Sequence, residues 1–314
     1  MKRTPREYVL LALKGMGMGA ADVIPGVSGG TIAFITGIYT ELIASLKSIS
    51  SSLTRDLLSF SLKEFWKSIN GNFLVALLSG ILLSIIGLTR LVLFLLENYP
   101  IQLWSFFFGL IIASAIIVFL KIETWNFKVI ISAIAGVIIA YAITEASPVE
   151  TPTGYWFIFL SGFIAICAMI LPGISGSFIL LLMGKYEYIL SALKELKIAV
   201  IVVFAIGCVS GLLTFSHILT WLLKKYHDIA VALLAGFMVG SLNKVWPWKI
   251  TLTTFVNSEG EVKPVIQDNI LPFDYFMQTG YEAHLIAAIL LAFAGFILVI
   301  FLERLGSVFN MQKV

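Results

Sequence analysis

Apolar residues along this chain gather into long runs at 8–24, 27–46, 72–96, 101–120, 128–146, 155–171, 174–193, 198–223, 228–243 and 284–303. A helix rises 1.5 Å per residue, so roughly 20 apolar residues carry it across a hydrocarbon core of about 30 Å. The runs therefore predict helical membrane spans. Outer-membrane strands would instead alternate apolar and polar residues in segments of about 10, and no such alternation occurs. Two pairs of runs are joined without a loop, through Pro25-Gly26 and Pro172-Gly173. Proline lacks the amide that a helix interior needs, and glycine adds no side-chain constraint. Each pair reads as a hairpin of two helical arms or as one broken span.

The two breaks expose a repeat. Pro25-Gly26-Val27-Ser28-Gly29 matches Pro172-Gly173-Ile174-Ser175-Gly176 at an offset of 147, and the same register aligns Gly37 with Gly184 and Tyr39 with Tyr186. An offset of 127 then pairs Gly80 with Gly207, Tyr99 with Tyr226, Gly109 with Gly236 and Ser114 with Ser241. The reading is of two halves. Residues 1–147 form a hairpin (8–46) and spans at 72–96, 101–120 and 128–146. Residues 148–314 form a hairpin (155–193) and spans at 198–223, 228–243 and 284–303. A hairpin returns to its starting side and three spans do not, so the halves are expected to be inverted repeats, an arrangement shared by many transporters. The fold class expected is an all-α polytopic membrane protein.

Composition supports this. Apolar residues make up 59% of the 314 and charged ones only 12%, too few to solvate a compact soluble domain. The net charge of +3 matters less than its placement. With the N-terminus in the cytoplasm, Lys2, Arg3, Arg6, Lys47, Arg55, Lys63, Lys67, Lys121, Lys128, Lys224, Lys225, Arg304 and Lys313 all fall inside, as the positive-inside bias requires. Glu97, Glu145, Glu150 and the long acidic 244–283 loop fall outside, and Lys194 and Lys197 at the second hairpin's exit disagree. Both termini are expected in the cytoplasm of a bacterial inner membrane. The basic, then apolar start resembles a signal peptide, but Lys14 and the glycines Gly15, Gly17 and Gly19 interrupt it, so it is expected to stay as the first membrane segment. Cys167 and Cys208 lie in apolar segments and read as core residues. The 47–71 connector, with Leu57, Leu58, Phe60 and Phe65, reads as an interfacial amphipathic helix or a solvated loop. The 250–282 loop reads as an external cap, and Trp246, Pro247 and Trp248 as interfacial anchors.

Chemistry concentrates at the breaks. A helix restarting there exposes its first amides and the positive end of its dipole. Gly26, Ser28, Gly29, Gly30 and Thr31 in one half, and Gly173, Ser175, Gly176 and Ser177 in the other, supply close backbone approach and hydroxyls, which suits an anion such as phosphate. The competing reading is that small residues only let helices pack closely. Arg90, inside the 72–96 span, is a candidate phosphate ligand or a snorkelling interfacial residue. His217, its counterpart at offset 127, is a candidate proton carrier or a bonded core histidine. Asp22 could accept a coupling proton or sodium ion, pair with Arg90, or cap the next helix. No cofactor is expected beyond such an ion. Metal spacing, a Walker loop and a nucleophile elbow are missing, and the basic residues form no nucleic-acid face.

The segments Ala21 to Thr31 and Leu171 to Ser177 closely resemble the PopT-type polyprenyl-phosphate transporter family. Phe107-Phe108-Gly109-Leu110 with Ser114, and Gly236-Phe237-Met238-Val239-Gly240-Ser241 with Trp246-Pro247-Trp248, look like its other signatures. The resemblance covers nearly the whole chain. It implies return of undecaprenyl phosphate, the carrier lipid of wall polymers, from the outer to the cytoplasmic leaflet, by alternating access coupled to an ion gradient. The two tip motifs are the implied site, and a polyprenyl phosphate and membrane lipids the implied partners. The oligomeric state stays open. Uptake of a soluble anion, an intramembrane lipid-phosphate enzyme and a non-transporting assembly factor are the alternatives. The first lacks polar span residues to line a vestibule, the second lacks a nucleophile or metal set, and the third would tolerate loss of both tips.

Overall fold

A computed structural model describes residues 3–23, 27–56, 62–149, 151–256 and 262–311. In chain order the elements are α1 (Pro5–Asp22), α2 (Gly29–Ile35), α3 (Tyr39–Asp56), α4 (Leu62–Ser68), α5 (Gly71–Asn98), α6 (Pro100–Phe119), α7 (Phe127–Glu145), α8 (Tyr155–Ile170), α9 (Gly176–Leu182), α10 (Tyr186–Lys194), α11 (Ile198–Lys225), α12 (His227–Ser241), β1 (Lys249–Val256), β2 (Val262–Asn269), α13 (Pro272–Thr279) and α14 (Leu285–Met311). Five described helices, α5, α6, α7, α11 and α14, are long and apolar enough to cross a membrane, or up to seven spans if each bent helix pair is one. The chain is a multi-pass helical membrane protein.

The expected breaks fall where proline and glycine put them, but the returning arms break a second time. α2 and α9 run only seven residues each, about 10 Å, before the chain turns by 117° into α3 and by 104° into α10. The turns sit at Gly37 (φ 74°) and Gly184 (φ 62°), equivalent positions whose left-handed backbone favours glycine. Each hairpin is thus three helices rather than two arms. Arg3 pairs with Glu41 at 2.5 Å, and the Lys14 ammonium donates to the Thr36 carbonyl at 2.7 Å, so the first hairpin returns to the end where it began. The all-α expectation fails between α12 and α14, where β1 and β2 pair antiparallel and α13 follows. Ile250, Thr251, Thr253 and Thr254 supply the β-branched residues that favour strands there. The connector after α3 is partly the helix α4; Leu57, Leu58 and Phe60 lie outside the described residues.

Trp246 and Trp248 are both held by hydrogen bonds within the protein. The Trp246 indole donates to the Ile270 carbonyl (2.9 Å) and the Trp248 indole to the Ala283 carbonyl (2.8 Å). Trp248 is buried with Ile101 and Ala288. An indole N–H shielded from water needs a partner; Trp246 finds it just after β2 and Trp248 in the loop before α14, which fastens this segment to the bundle.

Glycines set the helix spacing, and they do so twice. Gly15 and Gly80 let α1 meet α5 backbone to backbone, against the Leu77 and Ala12 carbonyls; Gly162 and Gly207 do the same for α8 and α11, against Phe204 and Phe159. Every residue in the second set is the repeat equivalent of one in the first. A third correspondence was hidden in the sequence. Gly109 and Gly295 join α6 to α14, while Gly236 and Gly136 join α12 to α7, which places Gly136 and Gly295 in register at an offset of 159. Spans within residues 1–147 therefore pack on spans within residues 148–314. At one end the Thr124 amide donates to the Asp228 carboxylate (2.9 Å), and at the other Asn243 donates to Glu145 (2.6 Å).

A side chain at these glycines must collide with a backbone carbonyl, and overpacking of this kind costs about 1–3 kcal/mol. Gly80→Leu and Gly207→Leu should each lower the thermal midpoint of the detergent-solubilised protein by at least about 5 °C. Gly87→Ala, with open space around it, should leave the midpoint unchanged.

Candidate functional site

The two breaks meet inside the bundle. The Ser28 hydroxyl donates to the Leu171 carbonyl of the second hairpin (3.0 Å), and the Gly173 amide donates to the Thr31 hydroxyl of the first (3.1 Å). Gly30 lies so close to the Ile170 carbonyl that any side chain would overlap it. Gly173 takes a left-handed backbone (φ 86°) against Phe237 of α12, where a Cβ would also collide. Sequence reasoning brought these motifs together only by symmetry; in the structure they bond to each other directly. Gly26 lies outside the described residues.

Helix starts inside a membrane leave amides that no water can satisfy. Here the protein satisfies several itself. Asp22, at the end of α1, accepts the Gly29 amide at 2.7 Å, its carboxylate lying where a Cβ at Gly29 would stand. Ser28 is the N-cap of α2 and accepts the Gly30 amide at 3.1 Å. Such a cap contributes about 1 kcal/mol. In the second hairpin, the Ser175 and Ser177 hydroxyls bond to each other at 2.9 Å. Ser28, Thr31 and Ser175 are 1%, 0% and 5% exposed, so the junction is closed in this conformation. The anion at the start of α2 is the protein's own carboxylate, the capping alternative for Asp22. The second hairpin has Met169 at the equivalent position.

The remaining candidates are not gathered here. Arg90 is exposed on α5, eight residues from its end, and makes no ion pair with the described residues. His217, half-buried on α11, holds its Nδ1 at 2.8 Å from the Leu213 carbonyl within its own helix. Asp22 accepts from Gly29 and has no ion pair with Arg90.

Three features went unread in the sequence. Lys185 is almost fully buried (2% exposed), and its ammonium donates to the Thr151 carbonyl at 2.5 Å. Lys244 and Lys249 sit beside the β-hairpin against aromatic rings. A groove of about 480 Å³ runs between α6, α7, α12 and the β2–α13 turn, walled by Phe108, Tyr141, Val239, Leu242, Trp246 and Ile270. Lysines next to aromatic residues at the ends of apolar runs were the available signal for the first two features. The groove depends on how α7 and α12 cross between halves, which no local pattern reveals.

Comparison with known proteins agrees with this architecture. Residues 18–263 match the VCA0040-like family, described as undecaprenyl phosphate translocase-like. A polyprenyl-phosphate transporter of Vibrio cholerae is 48% identical over 298 residues, covering 95% of this chain and 97% of its own. A polyprenyl-phosphate transporter of Staphylococcus aureus is 33% identical over 271 residues, covering 78% of this chain and 91% of its own. No solved structure matches. With a match across most of its length, the chain belongs to the undecaprenyl phosphate translocase-like family.

Proposed function

We propose that this protein is a transporter, not an enzyme, and that it carries undecaprenyl phosphate from the outer to the cytoplasmic leaflet of a bacterial inner membrane. The observation that carries the proposal is the direct bonding of the two helix breaks, Ser28 to Leu171 and Thr31 to Gly173, in a bundle whose relatives are named polyprenyl-phosphate transporters. A polyprenyl tail can stay in the membrane throughout. Only the phosphate needs a polar path, and a junction of hydroxyls and helix starts supplies one without a wide aqueous cavity.

In this reading the halves, 1–147 and 148–314, are inverted repeats, each with a re-entrant hairpin. Recurrence of the same glycine contacts at equivalent positions supports it. The substrate site is Ser28, Gly29, Gly30 and Thr31 of one tip with Gly173, Ser175, Gly176 and Ser177 of the other. The closed junction is one state of an alternating cycle. To bind, the phosphate takes the Gly29 amide from Asp22 as the tips separate. A carboxylate that gives up its donor inside a membrane then needs a cation, so Asp22 is where a proton or sodium gradient couples. Arg90 and His217 lie outside this path.

Each tip hydrogen bond, once broken by mutation, leaves a buried group unsatisfied at a cost of about 1–3 kcal/mol. In liposomes, Ser28→Ala and Thr31→Val should slow transbilayer movement of undecaprenyl phosphate at least about tenfold, the rate equivalent of 1.4 kcal/mol. Arg90→Ala should stay within about twofold of the parent rate. Equal rates in all variants remove the tips from the path. Release of inorganic phosphate favours the enzyme reading.

Orientation has its own check. In a variant with Cys167 and Cys208 replaced by alanine, Thr253→Cys on β1 should react with an impermeant maleimide in right-side-out vesicles. Glu123→Cys, at the opposite end, should react only after permeabilisation. The reverse pattern inverts the assignment of leaflets.

A further inference from the structure

The turn after α12 carries two cations that the tip junction does not use. Lys244 is half-buried and holds its ammonium 4.4 Å from the ring centre of Phe178, in the first turn of α9. Lys249, which opens β1, holds its ammonium 4.3 Å from the ring centre of Trp104 at the start of α6 and donates to the backbone carbonyl of Lys244. Two positive side chains thus converge at the β-hairpin end of the molecule. Among the described residues, no carboxylate lies within ion-pair distance of either. Glu145 acts on Lys244 from further away, and its Oε1 is engaged by Asn243.

Such a pair is costly. Burial lowers the proton affinity of both groups, and the neighbouring charge of Lys244 adds to the effect of burial at Lys249, pushing it down to about 7. Aromatic faces and one carbonyl return part of what hydration would have supplied. A phosphate monoester would return more, because it carries close to two negative charges and offers three oxygens as acceptors.

The other end of the bundle differs. The turn after α6 presents a single lysine, Lys121, exposed, with its ammonium 5.2 Å from the ring centre of Phe34 in α2 and Glu303 acting on it electrostatically. The turn that carries Lys244 also walls the groove of about 480 Å³ with Leu242 and Trp246. A cationic pair beside an apolar groove matches an amphiphile with a phosphate head better than a free anion.

We propose that Lys244 and Lys249 form a receiving site for the phosphate of a polyprenyl phosphate, with the adjoining groove holding its first isoprene units. The headgroup then passes by Phe178 to the start of α9 at the tip junction. This inference rests on the transport reading above and adds where the lipid is first captured.

The test uses the full chain in nanodiscs with undecaprenyl phosphate, undecaprenol and inorganic phosphate as probes. Lys244→Gln/Lys249→Gln should bind undecaprenyl phosphate at least about tenfold more weakly than the parent. Lys244→Arg/Lys249→Arg should retain most of the affinity, and Lys197→Gln, an exposed lysine paired with Glu195, should retain all of it. Bound undecaprenyl phosphate, but not undecaprenol, should protect Lys244 and Lys249 from acetylation, a readout that loss of structure alone cannot produce. Tight binding in the Gln double variant, or lysines acetylated equally with and without the lipid, overturns the receiving site while leaving the transport reading intact. Lysine-dependent binding of inorganic phosphate as tight as that of the lipid overturns the lipid source. If the parent binds none of the phosphate-bearing probes, both readings fail together.

Discussion

A backbone amide in hydrocarbon has no water to bond, so every break in a membrane helix must be completed by protein. This chain breaks two helices deep in its bundle and completes them largely from its own tip residues. Ser28 closes onto the second hairpin, Gly173 onto the first, and Asp22 occupies the start of α2. The junction is therefore stable only when the two hairpins face each other. Each polar group satisfied there is one that a phosphate could claim if the hairpins part.

Much of the remaining structure holds that junction in register. Glycines bring α1 onto α5 and α8 onto α11 at backbone contact, which leaves each hairpin little freedom to slide along its partner span. The crossed packing of α6 with α14 and α7 with α12 ties the halves together around the tips. Rigid-body motion of one half past the other must work against these interfaces. The short helices α2 and α9 are followed by left-handed turns at Gly37 and Gly184, where the chain bends sharply into α3 and α10.

Spans and breaks are legible because each has a strong local cause: run length and a Pro-Gly pair. Several glycines aligned at 147 and 127, among them Gly80, Gly207, Gly109 and Gly236, are helix contact points. The second bend in each hairpin was missed although Gly37 and Gly184 had been aligned, because a lone glycine marks a left-handed turn only once the backbone is known. The α7–α14 correspondence was hidden by the β-hairpin and α13, which lengthen the loop before α14 and move the offset to 159. The strands are not legible because the 250–282 segment carries too little contrast between apolar and polar positions. At the candidate site, the sequence points to both tips and to Asp22 but does not show that Asp22 accepts the Gly29 amide at the start of α2. Lys244 and Lys249 were passed over because their convergence comes from the turn after α12 folding back, and spacing alone does not show it.

The central claim is that the tip junction must open for the headgroup to pass, and a reversible lock tests it most directly. With Cys167 and Cys208 replaced by alanine, Ser28→Cys and Leu171→Cys place two thiols at neighbouring positions across the junction. Oxidation to the disulfide should stop the movement of undecaprenyl phosphate through liposomes, and reduction should restore it. Undiminished movement by fully cross-linked protein would contradict the account, because the lipid would then be crossing by a route that never parts the tips.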